Sequence, residues 1–68
     1  MAVLPFTIST FIGDEYTGLH NKAASLSDAE RVAKDSIRYA AHYYAGTKLS
    51  DFHAVITTNG REIKTVKV

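Results

Sequence analysis

His20, His42 and His53 are the side chains in this sequence best suited to metal ligation or to proton transfer near neutral pH. Their spacing serves neither purpose. No two of them stand at the i, i+4 separation that puts paired ligands on one helix face, and there is no cysteine to complete a thiolate set. His42 falls beside Arg38, Tyr39 and Tyr43 and reads as an exposed or half-packed helix residue. His53 falls in a strand pattern, where it reads as a surface partner of Val66. The serines sit on no strand-turn nucleophile elbow that would support a Ser–His–Asp arrangement. The neighbouring carboxylates Asp14 and Glu15 follow Gly13 and read as a solvated turn, and Gly13 and Gly18 lack a phosphate-cradling spacing. The expectation is a protein that is not an enzyme, with no catalytic residue, no metal and no cofactor.

Composition narrows the remaining classes. With 68 residues the chain makes one small domain, 1–68, close to the size at which a single core barely suffices, and without cysteine no disulfide can reinforce it. A homodimer is therefore one expected way of burying more apolar surface. The formal charge of +1, from eight basic and seven acidic residues, is not the dominant positive field of a non-specific nucleic-acid binder. The opening MAVLPFTISTFIG is apolar but has no Lys or Arg and is broken by Pro5, so it reads as a strand and not as a signal peptide. No apolar run is long enough to span a bilayer. These features point to a cytoplasmic protein without membrane contact.

The elements that position these side chains can be read in order. Residues 3–12 alternate as a strand, with Leu4, Phe6, Ile8, Thr10 and Ile12 on one face. Pro5 cannot donate to a ladder, so the strand is either at an edge or begins pairing after it. A short second strand is expected over 16–23, weakened by Gly18 and Asn21. SDAERVAKDSIRYAAHYYAG then predicts a helix over Asp28 to Ala45, N-capped by Ser27 with Glu30 completing a capping box, and closed by Gly46 at C′. Ala29, Val32, Ala33, Ser36, Ile37, Ala40, Ala41 and Tyr44 recur at three and four spacing and make a stripe of small residues able to lie close to a sheet. Two β-branched runs flank Asn59-Gly60, the preferred type I′ hairpin turn. Uninterrupted pairing from that turn sets Ile56 opposite Ile63, Val55 opposite Lys64 and His53 opposite Val66. Phe52, Ala54, Ile56 and Ile63 are then expected under the helix with Phe6, Ile8 and Ile12. The fold class is α+β, in two layers: an antiparallel three- or four-stranded sheet with one helix packed on one face, in the order β-(β)-α-β-β.

Two surfaces invite a partner. On the helix, Glu30–Lys34 and Arg31–Asp35 are favourable i, i+4 pairs on a solvated face. Beside them Arg31, Lys34, Arg38, Tyr39, His42 and Tyr43 form a flank rich in the residue types that dominate binding interfaces. The second surface is the uncovered sheet face around Val55, Lys64 and Val66. For nucleic acid the hairpin offers Arg61, Lys64 and Lys67, divided between two faces, without an aromatic stacking platform.

The run ASLSDAERVAKDS, Ala24 to Ser36, leading into a helix and a closing hairpin, resembles the small phage-encoded αβ inhibitors. Among them are subtype I-F anti-CRISPR proteins, in which a similar Ser-Leu-Ser-x-Ala-x-Arg-hydrophobic-Ala stretch opens the helix. Phage antitoxins that neutralise host RNase toxins are similar in size and element order. The local match covers Ser25 to Ala33. The resemblance implies a protein that binds and blocks another protein, a component of host defence or of nucleic-acid processing, in the host cytoplasm. The alternatives are a nucleic-acid-binding accessory protein using the C-terminal hairpin and a small self-assembling structural protein. Dodecin-like flavin-binding assemblies share the β-α-β-β order, but their ligand stacks on tryptophan and this chain has none.

Overall fold

The computed structural model describes residues 4–44 and 46–68. Four strands and one helix follow the order β1 (Phe6–Ile12), β2 (Glu15–Ala23), α1 (Leu26–Tyr43), a 3-10 turn (Leu49–Asp51), β3 (Phe52–Thr58) and β4 (Arg61–Val66). The strands form one antiparallel sheet in the order β2-β1-β3-β4, and α1 crosses one face of it, touching β1, β2 and β3 alike. This is the expected two-layer α+β architecture, with 16–23 a true strand. β1 is central and not at an edge. Its pairing begins at Phe6, immediately after Pro5, so the missing proline N–H falls outside the ladder.

The stripe of small residues is what seats the helix. Ala29, Ala33, Ile37 and Ala40 are completely buried against Ile8, Phe52, Ala54 and Ile56, and Ser36 is nearly so. Alanines on this face bring the helix backbone close to the sheet, and the few large core side chains fill the ends. Tyr44, expected in the core, is 40% exposed and only leans its ring on Phe52 at 6.4 Å.

The helix starts two residues earlier than Ser27. Ser25, in extended conformation, is the N-cap, and its hydroxyl accepts a hydrogen bond from the Asp28 N–H at 3.2 Å. Ser25 and Asp28 repeat the spacing of Ser27 and Glu30, so the sequence offered two equivalent starts. The earlier one prevails because α1 must leave directly from the end of β2, and Glu30 is engaged elsewhere by Lys64. The helix ends at Tyr43, with the Tyr44 N–H still donating to Ala40 O. The expected last helical residue, Ala45, lies outside the described residues, and Gly46 follows with φ at +92°.

Two bulges reset the register. Asn59 and Gly60 both have positive φ, 52° and 77°, as a type I′ turn demands. Thr58 and Thr57 pair with Arg61 and Glu62 as expected, but Ile56 then pairs with Lys64, Val55 with Thr65 and Ala54 with Val66. Ile63 is the extra residue of a bulge. It is therefore 44% exposed and not under the helix, while Val66 takes the core place at 5% exposure. In β2, Thr17, Gly18 and Leu19 together stand opposite Thr10. Gly18 has φ at +86°, which its missing Cβ permits, and the bulge is closed by its own bonds. The Thr17 hydroxyl donates to Thr10 O at 2.7 Å, and the Leu19 N–H donates to Thr17 Oγ1 at 3.2 Å.

Candidate interaction surface

The three histidines are dispersed. His20 Nδ1 lies 3.2 Å from the Tyr16 hydroxyl on the open face of the sheet, His53 stacks on Phe11, and His42 is exposed in the last turn of α1. His53 is thus the neighbour of Phe11, and Val66 pairs with Ala54 instead. Among the described residues no three His, Asp or Glu side chains gather in a way that could hold a metal ion. A hollow opens at one end of the sheet, where Asp14, Asp51, His53 and Lys67 line it, and the Asp51 carboxylate there accepts a hydrogen bond from the Lys48 N–H.

The uncovered sheet face carries an aromatic row across three strands: Tyr16 on β2, Phe11 on β1 and His53 on β3. Sequence alone did not suggest this row, because it depends on register. Phe11 and His53 are parallel within 6° at a centroid distance of 5.2 Å, too close for rings lying flat side by side. They turn their faces to one another, and Tyr16 tilts against the other side of Phe11 at 5.5 Å. Ring faces used in this way are not offered to a base. Val55 belongs to this face and is 8% exposed, but Lys64 and Val66, expected beside it, are on the helix side. The bulge at Ile63 is the reason. Lys64 reaches Glu30 on α1, so it is also withdrawn from any basic track with Lys67.

The helix flank holds together better, divided into two parts. Arg31, Lys34, Arg38 and His42 form an outer ridge, exposed along its length. The expected i, i+4 pairs Glu30–Lys34 and Arg31–Asp35 do not form. Arg31 instead pairs with Asp28 at 3.3 Å and Arg38 with Asp35 at 3.6 Å, both i, i+3 and both in water, where such pairs contribute little. Tyr39 and Tyr43 project from the β2 side of the helix. Their hydroxyls are 2.9 Å apart and their rings meet edge to face at 5.0 Å, although they are 53% and 69% exposed. The bond to Tyr43 and its charge repulsion at high pH hold the Tyr39 phenol above the ordinary tyrosine pKa.

Below this pair runs a groove between α1 and the edge strand β2. Leu19, Asn21, Val32, Ser36 and Tyr39 line one end. Beyond Tyr39 it continues past Thr17, Tyr43 and Tyr44. Asn21 Nδ2 donates to Ser36 Oγ at 2.7 Å across the floor, fastening strand to helix. The result is an aromatic ledge over an apolar groove, beside a strand whose outer edge has no neighbour in the sheet.

Comparison with protein-family models, with curated proteins and with solved structures finds no match to this chain. Among the described residues no helix is long and apolar enough to cross a membrane.

Proposed function

We propose that this chain is a stoichiometric protein-binding module, an inhibitor of the kind that phages deploy against a host defence or nucleic-acid-processing protein. The observation that carries the reading is the Tyr39–Tyr43 pair. Two large aromatic side chains are exposed yet already locked to each other by a hydroxyl–hydroxyl bond and an edge-to-face contact. Tyrosine so fixed adds apolar contact and a polar tip to a partner with little further loss of rotamer freedom, and it is a residue type in which binding energy concentrates. The outer ridge of Arg31, Arg38 and His42 adjoins it and supplies the polar rim, with Lys34 farther round the helix toward β4. The helix-opening resemblance to phage inhibitors supports the inhibitory direction.

The test is capture from bacterial lysate with nuclease treatment, at low and high salt, comparing the native chain with Arg38→Ala plus Tyr39→Ala. The expected result is one stoichiometric protein partner that survives both treatments and is lost with the double variant, while the thermal midpoint hardly moves. Equal capture by the variant removes the tyrosine flank from the binding surface, and recovery of nucleic acid alone replaces the reading with nucleic-acid binding.

A further inference from the structure

We infer that β2 pairs antiparallel with β2 of a second copy of the chain, about a two-fold axis at Leu19, joining two sheets into one of eight strands. The inference rests on the reading of the Tyr39–Tyr43 ledge as a protein-binding surface and puts a second copy on it in the free protein, where the partner proposed above would compete for it.

The two edges of the sheet are not alike. β4 carries Arg61, Glu62 and Lys64, with Lys67 just beyond, and the Lys64–Glu30 ion pair spans that flank. Charges placed along an edge strand oppose further pairing. The middle of β2, Thr17 to Asn21, has no Asp, Glu, Lys or Arg, and its charges stand at opposite ends: Asp14 and Glu15 at the start, Lys22 at the finish. Antiparallel self-pairing brings the acidic end of each copy alongside the basic end of the other. Centred on Leu19, it sets Lys22 opposite Tyr16 on the open face. The same centring keeps the layers in register, because Tyr16 and Lys22 share the open face while Asn21 and Ala23 lie on the helix side. The bulge at Thr17–Leu19 commits the Leu19 N–H to the Thr17 hydroxyl, so the ladder between copies runs through the residues on either side of it.

The ledge fits the gap this pairing leaves. Because α1 lies across β1 with β2 and β3 at its sides, the two helices would stand over β1 strands three spacings apart, about 14 Å. Helices in contact are separated by about 8–10 Å, so the space between needs large side chains from both copies. That is the side of α1 on which Tyr39 and Tyr43 project, over Leu19 and Val32. The opposite flank, toward β4, carries Glu30 and Lys34.

The native chain should sediment at twice its 7.5 kDa. Tyr39→Lys with Tyr43→Lys should weaken the dimer by about tenfold or more, with the circular dichroism of the monomer retained. Since the chain has no cysteine, Leu19→Cys provides a second reading: mild oxidation should link two copies through directly opposed strand residues, whereas Ile63→Cys on the other edge should not link. A native chain that stays monomeric at its highest soluble concentration overturns the proposal, as does efficient linking through Ile63→Cys without Leu19→Cys. A monomer that still captures a partner through Tyr39 leaves the binding function standing and removes only the second copy as occupant. A dimer that captures nothing does the reverse.

Discussion

Asn21 Nδ2 donates a 2.7 Å hydrogen bond to Ser36 Oγ, the side-chain bond that ties the edge strand β2 to α1. The two partners differ in their surroundings: Ser36 is 6% exposed within the alanine stripe, whereas Asn21 is exposed. Asn21→Ala leaves the buried hydroxyl to find another partner and should cost about 1 kcal/mol. Ser36→Ala removes that hydroxyl, extends the alanine stripe and lets the asparagine turn to water, so it should be near neutral. The double variant should then be no less stable than Asn21→Ala alone. Urea unfolding of the three variants checks this, and a full, additive loss at both positions would show that the bond is not the link between the layers.

Thr10 presents the opposite case. It is completely buried in the central strand, and its side-chain hydroxyl has no hydrogen-bond partner among the described residues, although its carbonyl is taken by Thr17. An unmet buried hydroxyl costs about 1–3 kcal/mol. Thr10→Val replaces it with a methyl of similar shape and should raise stability by about 1 kcal/mol, or a thermal midpoint higher by about 4–8 °C for a domain this small. A lower midpoint would mean that the hydroxyl is satisfied in solution.

Much of this architecture was legible because the relevant signals are local. Asn59-Gly60 dictates its own turn, Pro5 marks where β1 can start to pair, and Ala29, Ala33, Ser36 and Ala40 identify the buried helix face. The bulges were not legible. Nothing in REIKTV says that Ile63 yields its place to Val66, because the choice depends on what lies across the sheet and on Glu30 attracting Lys64 from the helix. The candidate surface followed the same division. Helical spacing placed Arg31, Lys34, Arg38 and His42 on the solvated side of α1, but it did not show that Tyr39 and Tyr43 lie beside β2 while Lys34 lies toward β4. The sheet-face set of Val55, Lys64 and Val66 relied on a register the bulge breaks.

That register has an energetic signature. Val66 is buried beside Ala54 in the core, and Ile63 is largely exposed. Val66→Ala should cost about 2 kcal/mol through lost burial and the cavity it leaves. Ile63→Ala, the larger truncation, should stay within about 0.5–1 kcal/mol because water already reaches the side chain. Uninterrupted pairing from the Asn59-Gly60 turn would reverse the order, so denaturation of the two variants side by side decides between the registers.

The tyrosine pair makes a prediction in alkaline solution. Tyr39 is stabilised in its neutral form, first by the hydrogen bond to Tyr43, then by repulsion from the Tyr43 phenolate, then by partial burial. Its folded-state pKa is therefore above the unfolded value of about 10. A group with a raised folded-state pKa contributes stability that is fully present below the unfolded pKa and is lost as pH rises through the folded one. Absorbance of phenolate should accordingly show a tyrosine ionising above the ordinary tyrosine range, and stability should fall as the pH passes through that range. Tyr43→Phe removes both the hydroxyl partner and the competing charge while keeping the ring contact, so it should return Tyr39 toward ordinary titration. A native chain in which Tyr39 does not titrate above the ordinary range would mean that the two hydroxyls are not bonded, and the ledge would lose its claim to be ordered in the free chain.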